Sequence, residues 1–149
     1  MIIVAQTDPH HPQATALLKQ SHALMQSLFA PEDNFYLDID DLMAPNIYFY
    51  TARMGDEVLG TGALMVKANY GEVKSMFVSE SARGKGVAAA LLRQIEDTAR
   101  DEGLSMLKLE TGNVLHPAHR LYARHGFMEC GVFGDYVTAK SSIFMEKAL

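Results

Sequence analysis

The chain has no tryptophan and a single cysteine, Cys130. One thiol excludes an intrachain disulfide, which fits a reducing compartment and predicts a cytoplasmic protein. Cys130 itself reads as a small buried hydrophobe. Long apolar runs are absent, and none approaches the roughly 20 residues of a membrane span. The opening Met1-Ile2-Ile3-Val4-Ala5 lacks a basic segment and is too short for a signal peptide. Cations are scarce as well. Thirteen Lys and Arg face eighteen Asp and Glu, for a net charge of −5, so neither a nucleic-acid surface nor an anionic membrane is expected as a partner. No string matches the G-x-x-x-x-G-K-[ST] phosphate loop. The histidines lack a ligand set: His10 and His11 share a two-proline loop, and His116 and His119 have no accompanying carboxylates or thiols at zinc spacing. His116 is expected in a loop or cap and His125 at a helix end. No metal is expected.

What is present is an ordinary globular composition. At 149 residues and 48% apolar content the chain suits one domain, 1–149, with a proper core. It is organised around Arg83-Gly84-Lys85-Gly86-Val87-Ala88. Two glycines suit a tight turn whose N–H groups point at a ligand. After the turn Val87, Leu91, Ile95 and Ala99 make one helical stripe, with Arg93, Glu96, Asp97 and Arg100 opposite, and Gly103 as the stop. Before it, Glu72 to Val78 reads as a strand. A helix start carries unpaired N–H groups and about half a positive charge, so strand, turn and helix together point to a phosphate. A dinucleotide fold is a poor fit, because Ala89 stands at the third glycine position and no second βαβ unit follows.

Along the chain, Ile2 to Ala5 predicts a first strand. Ala14, Leu17, Leu18, Ser21, Leu24, Met25 and Leu28 predict an amphipathic helix that Pro31 ends. Phe35 to Met43 is mixed and acidic and predicts a short helix. Asn46 to Met54 and Val58 to Lys67 flank the hairpin signal Gly55-Asp56-Glu57, and strand glycines Gly60 and Gly62 signal a bulge or a close approach. Ser105 to Glu110 predicts another strand. Pro117 and Gly126 bracket a helix, and Phe127 to Val132 with Ser142 to Glu146 predict a last antiparallel pair. Met25, Met43, Met65, Met76 and Met145 read as core. The class is α+β with a mixed, mostly antiparallel sheet.

Arg83-x-x-Gly86-x-Ala88 matches the [Q/R]-x-x-G-x-[G/A] signature of the GNAT acetyltransferases, and Ala118-His119-Arg120-Leu121-Tyr122-Ala123-Arg124-His125-Gly126-Phe127 resembles that family's A-x-x-L-Y-x-x-x-G-F segment. Leu107-Glu110-Thr111-Gly112 and Phe133-Gly134-Asp135-Tyr136 further resemble a bacterial subgroup of small GNAT enzymes. The resemblance runs from about Tyr48 to the C-terminus. It implies a three-layer α/β/α fold of about six or seven strands with splayed central strands, and acetyl-CoA as cosubstrate. It implies that Arg83, Gly84, Lys85, Gly86, Val87 and Ala88 hold the pyrophosphate, that Met76, Phe77 and Val78 hold the pantetheine arm and polarise the thioester, and that Tyr122 is the catalytic tyrosine. The chain departs from the pattern at Leu115, where many members have a cofactor-contacting Asn. Asn113, two residues earlier, is the candidate replacement.

N-acetyl transfer also needs a neutral amine. At pH 7 a lysine-like amine, with a pKa near ~10.4, costs about 4–5 kcal/mol to deprotonate. Glu72 is the first base candidate and Glu110, at the end of the neighbouring strand, the second. A tyrosine near ~10 can protonate a leaving thiolate near ~8.5 at modest cost, which suits Tyr122. Glu32, Asp33, Asp38, Asp40 and Asp41 form an acidic stretch, and Asp135 lies in a glycine-flanked loop; with Glu110 they suggest a cationic acceptor, either a small molecule or a peptide amine. A homodimer stays open. So do two other readings: a catalytically silent acyl-CoA-binding module of the same fold, and an unrelated mononucleotide-binding protein.

Overall fold

Short apolar alternations become strands and the two long 3.6-residue periods become helices, over all residues Met1–Leu149 of the computed structural model. The order is β1 (Ile3–Gln6), α1 (Pro12–Leu28), β2 (Ile47–Met54), β3 (Glu57–Val66), β4 (Gly71–Val78), α2 (Val87–Asp101), β5 (Met106–Gly112), α3 (His116–Arg124), β6 (Met128–Glu129) and β7 (Ser142–Ala148). They build one mixed seven-stranded sheet in the order β1-β2-β3-β4-β5-β7-β6. Only β4 and β5 run parallel.

The two faces follow from strand alternation. Leu64 and Val73 pack with Val87, Leu91, Ile95 and Ala99 of α2. Ala63 and Phe49 turn the other way and meet Ala14 and Leu18 of α1. Val87, Leu91, Ile95 and Ala99 are essentially sealed, as their spacing predicts. Each large apolar side chain buried this way contributes about 1.5–3 kcal/mol. The strand glycines admit that helix. A Cβ on Gly60 would lie 2.7 Å from Val87 Cγ1, and one on Gly62 2.7 Å from Met76 Sδ and 3.2 Å from Ile95 Cδ1. Both readings the sequence offers for these glycines are realised: the close approach to α2, and register shifts beside Gly60 against β2 and across Gly62 against β4.

Several expectations change. Phe35–Met43 forms no α-helix; it holds one 3-10 turn, Asp40–Met43, after another at Pro31–Asp33. Met43 is exposed, because that turn buries Leu42 instead. Only Ala14, Leu17 and Leu18 of α1 are buried, and Leu28 is exposed, since the last turns of α1 line an open cavity. Glu96 sits on the buried side of α2, where Lys147 Nζ donates to it at 2.7 Å. The strand expected at Phe127–Val132 shrinks to Met128–Glu129. Cys130 is half-buried rather than core.

Candidate active site

The site begins where the sheet fails to close. β4 pairs with β5 at two positions, Gly71 with Leu107 and Glu72 with Lys108, and then the strands part. On the other side of β4 the register with β3 shifts between Thr61 and Ala63. The extra residue is accommodated at Ser75, whose φ of 56° is the only positive value outside glycine. Such a conformation costs of order 1–3 kcal/mol and persists only where neighbours hold it. Thr61 Oγ1 does so, donating to Ser75 O at 2.7 Å. Past the bulge, Ser79 N donates to Leu59 O of β3. Donors alternate in side along an extended strand, so the Val78 and Met76 N–H groups face the gap left by β5.

The gap leads to the glycine turn. Gly84 and Gly86 have φ of 80° and 84°, and Gly86 caps α2. A Cβ on either would meet nothing within 4 Å, so the turn faces open space. Arg83 N donates to Glu80 O, and Ala90 N is the first α2 donor to close back, onto Gly86 O. The N–H groups of residues 84–89 find no acceptor in the chain. Arg83 and Lys85 flank them, exposed and outside every ion pair. Open space, unpaired donors and two free cations fit a pyrophosphate.

On the α1 face of the sheet lies a cleft of about 440 Å³, walled by Phe35, Tyr36, Met65, Tyr70, Tyr136 and Val137, with Glu72, Lys74, Lys67 and Asp135 as its charged groups. Alternation puts Glu72 and Lys74 on that face together. Tyr136 Oη donates to Glu72 Oε2 at 2.6 Å, and Lys74 Nζ donates to Tyr136 Oη and to Phe35 O, each at 3.0 Å. Lys74 Nζ is 3.4 Å from Glu72 Oε2. Burial, the bond to Glu72 and the Glu72 charge all push the Tyr136 phenol far above its ordinary range. Lys74 is the site residue that sequence reasoning did not name, and Tyr136 was named only as part of the Phe133-Gly134-Asp135-Tyr136 segment, with no role of its own. The Glu-x-Lys alternation could have signalled Lys74; nothing in the sequence pairs Tyr136 with a carboxylate 64 positions away.

Glu110 stands on β5 beyond the last β4–β5 pair, at the splayed end and outside the cleft lining. Burial raises its carboxyl above the usual carboxylate range, against the opposing effect of the Ser142 hydroxyl, which donates to it at 2.8 Å. Tyr122 lies on the opposite face, in the α2 core, 6% exposed and edge-on to Phe127. Burial first, and the Glu110 charge second, hold its phenol above the ordinary value. The parted strands thus have a buried phenol on one face and a raised carboxyl on the other, close enough to feel one another.

The remaining candidates fall outside this line. Asn113 borders a second cavity of about 370 Å³ with Phe29, Val114 and Ser141, and its N–H donates to Ser141 O. Asp135 is exposed at the cleft edge and makes no ion pair. Of the acidic stretch, Asp33 lines the second cavity, and Asp40 and Asp41 bond His10 Nε2 and Asp38 N; none of its residues lines the cleft. Two of the five acidic residues are thus bound in local structure, Asp40 to His10 and Asp41 to Asp38 N. His119 Nε2 lies 2.7 Å from Gly112 O, bracing the end of β5.

The acetyltransferase (GNAT) family profile matches residues 12–127. The chain is 39% identical to an IAA acetyltransferase of Azospirillum brasilense, over 99% of this chain and 98% of that protein. A Klebsiella pneumoniae structure described as an acyl-CoA N-acyltransferase superposes with a TM-score of 0.84 at 27% identity, covering 100% of this chain and 98% of the other. The PaiA N-acetyltransferase of Thermoplasma acidophilum, solved with coenzyme A, shares the fold at a TM-score of 0.77 and 15% identity over 100% and 99% of the two chains.

Proposed function

We propose an N-acetyltransferase for this chain, which belongs to the acetyltransferase (GNAT) family: it moves an acetyl group from acetyl-CoA to a primary amine of a small molecule or peptide by direct attack in a ternary complex. The observation that carries the reading is the parting of β4 from β5 after Glu72 and Lys108, next to a turn whose N–H groups are unpaired. When bound, acetyl-CoA supplies an activated acyl carbon and a thiolate leaving group.

The chain's residues divide the remaining work. The N–H groups of Gly84 to Ala88, with Arg83 and Lys85, hold the pyrophosphate. The Met76 and Val78 N–H groups, aimed into the gap, stabilise negative charge on the carbonyl oxygen at attack. Glu110 takes the amine proton. Its raised carboxyl is a better base for an incoming amine than an ordinary one, and Glu72, 3.4 Å from the Lys74 ammonium, is the base that faces that lysine. Burial is the larger cause that holds the Tyr122 phenol up and the Glu110 charge the smaller; once Glu110 is neutral the smaller is gone, and Tyr122 gives its proton to the thiolate. The acceptor comes from the α1 face through the cleft. Thermal melting tests the binding half of this reading: coenzyme A raises the melting temperature, and ATP and NAD do not. A shift by ATP or NAD alone would instead support the mononucleotide reading.

A further inference from the structure

The cleft already holds an ammonium. Lys74 Nζ has a carbonyl, Phe35 O, at 3.0 Å, a phenol oxygen, Tyr136 Oη, at 3.0 Å, a carboxylate oxygen, Glu72 Oε2, at 3.4 Å, and an aromatic ring, that of Tyr136, centred 5.7 Å away. Those are the groups that recognise a cationic amine. The other half-buried lysines are bound differently. Lys108 and Lys147 make close ion pairs of 2.8 and 2.7 Å with Glu146 and Glu96, and Lys108, although it lies over the Tyr70 and Phe133 rings, has its carboxylate partner outside the cleft lining. Lys74 stands on β4 immediately before the bulged Ser75, and so within two to four residues of the Met76 and Val78 N–H groups that face the gap. Its charge also acts on Glu110 at the splayed end. The ammonium therefore occupies the acceptor side of the site, on the strand that bears the oxyanion donors.

We propose that Lys74 is a self-acetylation site: its own Nζ attacks the acetyl group of the donor bound to the same chain. This rests on the transfer reading above. Glu72, 3.4 Å away, takes a proton from the ammonium, and the Nζ lone pair forms the bond to the acyl carbon. The carbon–sulfur bond breaks, its electron pair leaves on sulfur, and Tyr122 protonates the thiolate. The nitrogen loses its second proton to Glu110 and becomes a neutral amide. The products are acetyl-Lys74 and free coenzyme A, with no oxidant or further reactant. Burial restricts the attack to the chain's own donor, because the Lys74 side chain is only 11% exposed.

The experiment incubates the full chain with acetyl-CoA and no added amine, then reads intact mass and maps the modified peptide. A single acetyl group appears on Lys74, at a rate independent of protein concentration. It is absent from Lys74→Arg, and slowed at least a hundredfold in Tyr122→Phe. Exposed Lys19, Lys67, Lys85 and Lys140 stay unmodified on that timescale. Chemical acetylation would label those exposed lysines first, equally in Tyr122→Phe, and that result overturns the proposal. An unmodified Lys74 in a protein that still acetylates added amines overturns the proposal alone and leaves the transfer reading standing. No acetylation of Lys74 or of any amine, with coenzyme A bound, overturns both.

Discussion

In the proposed mechanism, Tyr122 and Glu110 decide whether this molecule turns over or only binds. Tyr122→Phe removes the proton donor and leaves the packing with Phe127. Its expected effect is a loss of about 10²–10⁴ in kcat with an unchanged Kd for coenzyme A. A Phe variant within threefold of the parent would make Tyr122 a packing residue and favour the silent binding module. Glu110 carries a second, thermodynamic signature. Its folded pKa is raised by burial, so its favourable contribution is complete below the unfolded value, about 4.3, and is lost as pH rises through the higher folded value. Glu110→Gln should therefore gain stability relative to the parent at neutral pH and show no such gain near pH 4, while losing most of its kcat. Melting curves at the two pH values and one kinetic assay check both halves. The residue scale also shows the limits of reading a sequence. Tyr122 stood out because its neighbours form a recognisable segment. Lys74 and Tyr136 did not, because their meaning comes from a contact made across the fold.

At the scale of elements, α2 and the turn before it were the most legible part of the chain. A four-residue apolar repeat and two glycines leave little freedom, and the observed helix follows them. Gly86→Asp is expected to keep the fold, since no atom lies within 4 Å of a Cβ there, although positive φ disfavours any side chain at that position. It places a negative charge among the N–H donors, and calorimetry should find coenzyme A binding weakened at least tenfold. The segment between α1 and β2 was the least legible. Its carboxylates suggested a substrate, yet two of the five make local bonds, Asp41 accepting from Asp38 N and Asp40 joining a clasp. His10 bridges Asp40 at 2.6 Å and Asp8 at 3.0 Å, and those bonds, Asp40 first, raise its pKa above the ordinary value. The clasp is complete below the unfolded value of about 6.5 and is lost as pH rises through the raised folded value. Hydrogen exchange in Asp40–Met43, corrected for intrinsic rates, should speed up across that window. In His10→Ala it should be fast throughout.

For the whole molecule, the mixed sheet with splayed central strands was expected from motif resemblance, and the observed strand order carries it. Periodicity alone could place the strands but not the gap, because where β4 leaves β5 is set by long-range register and by the bulge at Ser75. No helix is long and apolar enough to cross a membrane. In the proposed mechanism the gap joins a donor side, with the glycine turn and Tyr122, to an acceptor side, with Glu72, Glu110 and the aromatic cleft. Direct attack requires both sides to be filled at once, and that requirement is measurable. Initial rates of thiol release, with acetyl-CoA and a primary amine varied together, should show release that depends on the amine, an N-acetyl product and intersecting double-reciprocal lines. Parallel lines, or thiol release that no amine accelerates in a protein that binds coenzyme A, would contradict the account.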